Sequence, residues 1–594
     1  MADTQATTLG NYGRLQPEGS AAPADEQPVN WWAVATVIMG IVAAGLLAGV
    51  IVLAVDDGGS GGGNKTKCTA LVSITPNIDN TTTAQTIPPD PHVAVGMSRI
   101  VAVDNGFVDI RRKSDNARIG FVPLNSIFTN ITLAGYGDPW ISYDSTSDRF
   151  FLTAFALSSV GVAPPAINFG SRLGVAVSTS SDPNDEADWH VYYIDSSETD
   201  DQLFDYPKHA TDSHALYLSW SRPGPIFFNN SAIFQGAGLL ALDKQALMDG
   251  VGLVWLWFEE VAGRRVMMPA LRRPNVGADK PLIFVDVPFD FPLFINPGYV
   301  FPPVDNYEIY TATAAGLSAT PILVPSPDTL FLEEINARQP FSPSFDINSF
   351  NGPILSAVVS GNDLYVAHTQ TPGNTQIAVR WARFDVGHAA GGNAQLTRWG
   401  NLNFGPDVDT FWPAINVNGD GDIAIVYLYS GPAIPQSLGY TVVYNKDAGS
   451  TGLQIAAAGE FPYYQTFGGQ TNRAGDYSGL DVDPANEQVF YGFGHSPDSN
   501  GPLGNITNAC NPADPSGAEC IALDWTETLF TFRVASGKCC EVVPVSQPDI
   551  AAFSIASAGS IGTPVANDQY EAGRLVGLET IAEEYDIDVS FAIA

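Results

Sequence analysis

Aspartate stands at the opening of one short apolar segment after another: Asp90 in DPHVAVG, Asp138 in DPWISYD, Asp205 in DYPKHATD, Asp409 just before WPAINVNGDGD, and Asp476 in GDYSGLDVD. A second set of chemistry-bearing residues closes the apolar segments that follow: Asp104, Trp220, Asp286, His368, Tyr429 and His495. Carboxylates ligate calcium, and aromatic faces stack on pyranose rings, so a surface gathering both sets reads as a divalent-cation or sugar site. The bland reading is that aspartate before a strand caps turn amides and recurs because the corner recurs. A separate candidate metal loop lies in NVNGDGD, where Asn416, Asn418, Asp420 and Asp422 alternate oxygen-bearing side chains around Gly419 and Gly421. Calcium is the cofactor that such a loop predicts, although the acidic twelfth position of an EF-hand is missing and N-G-D-G also suits a plain hairpin. HExxH, a Walker loop and a zinc-spaced CxxC pair are all missing from the sequence.

The positions of these residues imply the elements that carry them. Seven loosely similar units each show a Pro or acidic opening, an apolar strand, a turn and a second apolar strand, starting near Asp90, Asp138, Asp205, Met268, Gly352, Trp412 and Gly475. The second strands are IVAVD, FFLTAF, LYLSW, LIFVD, LYVAH, IAIVYLY and VFYGFGH. A four-stranded unit cannot cover its own two apolar faces, so units of this kind stack around an axis until a ring closes. The sequence therefore predicts an all-β chain with a seven-bladed β-propeller. A tandem of two β-sandwiches is the rival, but a sandwich has no reason to repeat one Pro-opened strand pair seven times. In a propeller the inner strand starts on the face where the second strand ends, which places both residue sets at one mouth of the central channel. Closure is predicted between CTALVSIT after Cys68 and DWTETLFTFRV before Cys539.

The segments RAGDYSGLDVDPANEQVFYGFGH (Arg473 to His495), GVAVSTSSDPNDEADWHVYYID (Gly174 to Asp195) and GDPWISYDSTSDRFFLTAF (Gly137 to Phe155) resemble exported sialidase-like (BNR-type) propeller proteins. The resemblance runs from about Pro88 to Val534 and implies the propeller fold. A sialidase reaction further implies an arginine cluster gripping a substrate carboxylate, a Tyr nucleophile activated by Glu, and an acidic proton donor. Arg222, Arg272, Arg273, Arg380, Arg383 and Arg473 are candidates for the cluster, and STSSDPNDEADW lacks the turn glycine and spacing of an Asp box.

Around this domain the sequence predicts a tether. No residue from Trp31 to Val55 is charged, and 25 residues at helical rise span roughly 37 Å, enough for a hydrocarbon core of about 30 Å. The expected organisation is a cytoplasmic disordered segment 1–30, a transmembrane helix 31–55, a flexible linker 56–67, the propeller 68–540 and a C-terminal extension 541–594. All five cysteines follow the span, at Cys68, Cys510, Cys520, Cys539 and Cys540. That suits an oxidising compartment, with Cys510 to Cys520 and Cys68 to Cys539 or Cys540 as candidate bridges. Glycosylation acceptor patterns fall at Asn64, Asn80, Asn130, Asn229 and Asn505, also beyond the span. Together they predict a type II single-pass protein of the plasma membrane or an endomembrane, its large domain extracellular or lumenal. Acidic residues outnumber basic ones 63 to 27, so phosphate backbones are repelled and nucleic acid is excluded as a partner. The expected function is a glycan- or protein-binding adhesion module, the alternative a membrane-tethered glycoside hydrolase or lyase.

Overall fold

The computed structural model describes residues 71–73 and, with interruptions, 88–534; the longer interruptions are 159–169, 289–303, 463–471 and 498–524. Seven sheets are present, four of them built in chain order from four consecutive antiparallel strands. Their inner strands are His92–Val95 in blade 1, Tyr136–Asp144 in blade 2, Asp205–Thr211 in blade 3, Met268–Pro269 in blade 4, Ile354–Ser360 in blade 5, Asp409–Val417 in blade 6 and Gly479–Val482 in blade 7. Each of the seven expected strand pairs is thus found.

Blade packing explains the composition of the strands. The inner and second strands of blade 6, Asp409–Val417 and Ile423–Gly431, are buried at every position, because adjacent blades cover both sheet faces. Such strands read as continuous apolar runs, each fully buried Val, Leu, Ile or Phe contributing about 1.5–3 kcal/mol. The outermost strand of blade 5, Gln395–Leu402, instead alternates exposed and half-buried residues along most of its length, as a strand with one wet face should.

Blade 7 closes the ring. Its strands Gly479–Val482, Val489–Pro497 and Trp525–Arg533 come from the end of the described chain, and the fourth, Leu71–Ser73, from its beginning. Leu71 pairs with Arg533 and Ser73 with Thr531, which is the predicted seam. All five cysteines and all five glycosylation acceptors lie outside the described residues. So does the predicted span 31–55; among the described residues no helix is long and apolar enough to cross a membrane.

Blade 4 departs from the pattern. Its inner strand pairs through only two residues, Met268 with Val285 and Pro269 with Phe284. The chain then joins the neighbouring blade, where Leu271–Arg272 runs parallel to Ile354–Ser360 and Leu271 pairs with Val358.

Candidate functional site

The Pro-opened strands share one backbone device. Asp90, Asp138, Tyr206 and Trp412 each precede a proline and each take a positive φ, at 48°, 49°, 60° and 53°. In blades 2, 3 and 6 the register of the inner strand slips at this residue. A non-glycine residue at such φ costs about 1–3 kcal/mol, and the same bulged corner recurs because each of these strands opens with the same residue–proline step.

Asp90, Asp138 and Asp476, from blades 1, 2 and 7, each present a carboxylate oxygen, and the three oxygens lie within 4.8 Å of one another. Asn105 fastens two of them: its Nδ2 donates to Asp90 Oδ2 at 2.7 Å, and its Oδ1 accepts from the Asp138 amide at 2.6 Å. Asp90 Oδ1 accepts from the Asp476 amide at 2.6 Å, and Asp138 Oδ2 from the Tyr206 amide at 3.2 Å. Asp90 is fully buried and Asp476 nearly so, whereas Asp138 and Asp205 are partly buried. Gly475 serves this junction at φ +123, with His495 only 3.0 Å from where a Cβ would stand.

Beneath the carboxylates lies a buried lysine. Lys208 follows the Tyr206–Pro207 opening of blade 3, and its Nζ sits 3.6 Å from the ring centre of Tyr477, 3.8 Å from Tyr206 and 4.3 Å from Trp140. Among the described residues Nζ has no hydrogen-bond partner. The cage is pinned by carbonyls: the Tyr477 hydroxyl donates to Pro139 O at 2.8 Å, the Tyr206 hydroxyl to Asp476 O at 3.1 Å, and Trp140 Nε1 to His209 O at 3.1 Å. His209 is held through both ring nitrogens, by Ser142 Oγ at 2.8 Å and Thr153 Oγ1 at 2.9 Å.

Burial and mutual charge set the protonation of this group. Burial pushes the Lys208 ammonium down to about 7, against the pull of Asp138, Asp90, Asp476 and Asp205. Burial, then the charges of Asp90, Asp205 and Asp476, hold the Asp138 carboxyl well above the ordinary range, with Lys208 opposing. Burial, then Lys208, pushes His209 down to about 3 and His92 well below its ordinary value. A carboxyl of raised proton affinity therefore lies within 4.8 Å of two others. That pairing of unlike acids is the raw material of acid–base chemistry.

Four of the eleven predicted mouth residues thus meet: Asp90, Asp138, Asp476 and, through its charge on Asp138 and Lys208, Asp205. Six of the others are engaged elsewhere, and His495 packs against Gly475 at the edge of the cluster. Asp409 is gripped by Arg338, whose Nε and Nη2 lie 2.8 Å from its two oxygens. Asp104 accepts from the amides of Gly106 and Phe107, and its carboxyl, raised to about 6 by burial, is coupled to that of Glu527. Asp286 pairs with Arg264 at 3.5 Å, and His368 meets the Tyr307 hydroxyl at 3.3 Å. Trp220 packs against Phe204 and Phe258, Tyr429 lies in the core shared by blades 5 and 6, and His495 is buried behind Gly475.

In the candidate metal loop, Asn418 Oδ1 accepts from the amides of Asp420 and Asp422 at 3.0 and 2.8 Å, and Asn418 Nδ2 donates to Asp422 Oδ2 at 3.2 Å. Asp422 Oδ1 accepts from the Asn445 amide at 2.8 Å, Asp420 Oδ2 from Gln488 at 3.1 Å, and Asn416 Oδ1 from the Val417 amide at 2.9 Å. These side-chain oxygens already have donors, as in a hairpin turn. The only carboxylates among the described residues that converge closely enough to hold an ion are Asp90, Asp138 and Asp476.

The arginines are dispersed. Arg222 pairs with Glu260, Arg380 with Asp328 and Arg383 with Asp363, while Arg272 donates to the carbonyls of Lys280 and Gly277. Arg473 lies outside the described residues. Sequence reasoning missed Lys208, Trp140, Tyr477 and Asn105. The signal for two of them was present: the residue after the opening proline is His92, Trp140 and Lys208 in blades 1 to 3, and the three meet, with the His92 and Trp140 rings 3.8 Å apart and Lys208 Nζ 4.3 Å from Trp140.

No known protein family matches the chain, and no curated protein does. Among solved structures it is similar to a protein of unknown function from Dyadobacter fermentans, with 9% identity over 67% of this chain and 95% of that one at a TM-score of 0.34. It is also similar to a Hadza microbial sialidase, with 10% identity over 71% and 66% at 0.33, and to a GH43 protein from Bacillus licheniformis, with 11% identity over 62% and 56% at 0.29. Likeness at this level carries no argument about function.

Proposed function

We propose that this chain is a carbohydrate-recognising propeller, tethered to a membrane through residues 31–55 with its large domain extracellular or lumenal. The observation that supports it is the convergence of Asp90, Asp138, Asp205 and Asp476 from four blades at one mouth. Carboxylates are strong acceptors for sugar hydroxyls, and acids supplied by separate blades hold a ligand without needing it to react. The nearby aromatic rings are turned onto Lys208, so recognition rests on the carboxylates rather than on stacking. The same three oxygens are a hard donor set, and calcium is the cation that would suit them.

A second reading, glycoside hydrolysis, is favoured by Asp138. Its carboxyl holds a proton more tightly than an ordinary aspartate and lies beside acids within 4.8 Å, nearer the roughly 5–5.5 Å of a retaining pair than the wider spacing of an inverting one. The dispersed arginines weigh against a sialidase in particular. A glycan array run beside a glycosidase panel, with the chain from Cys68 onward, separates the readings. Binding without turnover, lost in D138N and D476N, supports recognition. Turnover abolished by D138N supports hydrolysis, and glycan binding indifferent to all four aspartates refutes both.

A further inference from the structure

At the other end of the channel, where the inner strands finish, lies a cavity of about 390 Å³, and none of the four clustered aspartates lines it. Its wall includes the segment where blade 4 breaks the blade pattern. There the backbone of Arg273 donates to Val359 O at 2.9 Å, and Arg272 ties the following turn by donating to Lys280 O and Gly277 O at 3.2 and 2.6 Å. A strand that leaves its own sheet to strap the end of a channel breaks a local rule that every other blade keeps, and such breaks concentrate at functional sites.

The strap places Arg273 in the cavity wall. The residue is only 8% exposed, and burial lowers its affinity for its proton. Of its five guanidinium N–H donors, one makes a side-chain contact among the described residues, Nη2 to Glu487 Oε1 at 3.4 Å. The charges of Asp481, Glu487 and Asp483 favour the guanidinium, yet among the described residues Glu487 is its one side-chain acceptor, which leaves donors for a ligand in the cavity. The carboxylates of the wall are held by other donors. Asp144 is taken by Lys244 at 2.6 Å, and Asp212 by the amides of His214 and Ala215 and the Tyr217 hydroxyl. Asp481 is taken by the amides of Val95 and Val482, both at 2.8 Å.

We propose that this cavity is a second ligand site, taking a small organic carboxylate of about one sugar ring in size, with Arg273 gripping the ligand carboxylate in place of Glu487. A planar carboxylate is the partner a guanidinium fork holds with two parallel bonds, and the volume falls in the range of small-molecule sites. Ser145 and Ser213 add hydroxyls to the wall for the rest of the ligand. The wall's own carboxylates are held by Lys244, by backbone amides and by the Tyr217 hydroxyl, and charges more than about 8–10 Å away are screened at physiological salt.

The test is calorimetric titration of the purified full chain with D-glucuronate, beside D-glucose as the ring without the carboxylate. Glucuronate binds and glucose does not; E487Q, which removes the competing carboxylate, binds glucuronate several-fold more tightly, and R273K binds it about tenfold more weakly. D138N, which disables the proposed glycan mouth, still binds glucuronate, so that the signal comes from this cavity and not from that mouth. Absence of glucuronate binding in both wild type and E487Q, equal binding of glucose, or loss of binding in D138N overturns the proposal. Should R273K fail to fold, E487Q decides: affinity unchanged or weakened there overturns it as well.

Discussion

Replacing Lys208 with methionine keeps the length of the side chain and its contacts with the aromatic cage while removing the proton. In the folded chain burial pushes this ammonium from 10.5 to about 7. Between those values the unfolded chain binds one proton more than the folded one, so the lysine makes stability rise with pH in that window. At about 1.4 kcal/mol per pH unit the full interval is worth about 5 kcal/mol, and the stretch from about pH 7 to about pH 9.5 about 3 kcal/mol. Below about pH 7 both states are protonated, and the contribution no longer changes. Asp138 titrates against the same lysine, so the comparison is made in a D138N background, D138N against D138N with K208M. Urea unfolding followed across that range is expected to show the lysine-bearing chain gaining about 3 kcal/mol relative to the methionine variant. Parallel profiles would refute the reasoning, since they would mean that Lys208 keeps its ordinary proton affinity and is not enclosed beneath the carboxylates.

Three further outcomes follow from individual contacts. Asp104, raised to about 6 by burial, binds a proton in the fold that it releases when unfolded, so its contribution is lost as pH climbs from about 4 to about 6; D104N, which keeps the acceptor for Gly106 and Phe107, is expected to be about 1–3 kcal/mol more stable than wild type near pH 7.5 and no more stable near pH 3.5. Arg338→Ala leaves the buried Asp409 carboxylate without its two-pronged partner, with an expected loss of about 3 kcal/mol in chemical denaturation. Asn418→Ala removes the acceptor for two turn amides, at an expected cost of about 1–3 kcal/mol, and that cost stays the same with or without calcium.

The ring was legible because blade burial writes itself into sequence. A second strand such as Ile423–Gly431, covered on both faces, has to be apolar throughout, and a Pro-opened bulge at the same corner has to reuse the same few residue types. The seam was legible too, since the strand around Leu71 had no partner nearer than the last apolar strand of the domain. Blade 4 was not, because MPALRRPN carries the same opening as its siblings and only the third dimension shows Leu271 pairing with Val358 of the next blade. The site was half legible. Aspartates at strand openings look alike on paper, yet Asp409 meets an arginine brought 71 residues from its side of the chain, whereas Asp90 meets the amide of Asp476 across 386 residues. Lys208 was hidden for a different reason: a lone lysine inside an apolar strand gives no hint of the three rings that enclose it, since these come from blades 2, 3 and 7.

Everything at the acidic mouth depends on blade 7 standing against blade 1, and one ion pair reports that directly. Lys113 Nζ lies 2.8 Å from Asp483 Oδ1, 370 residues away, with both side chains about nine-tenths buried. A zero-length carbodiimide reagent joins amines only to carboxylates already in contact, so mass spectrometry of the treated chain is expected to recover a peptide linking Lys113 to Asp483. If the reagent links Lys113 only to carboxylates of its own and the following blade, and no peptide joins the Asp483 region to residues near 113, the ring does not close as described and the shared mouth does not exist.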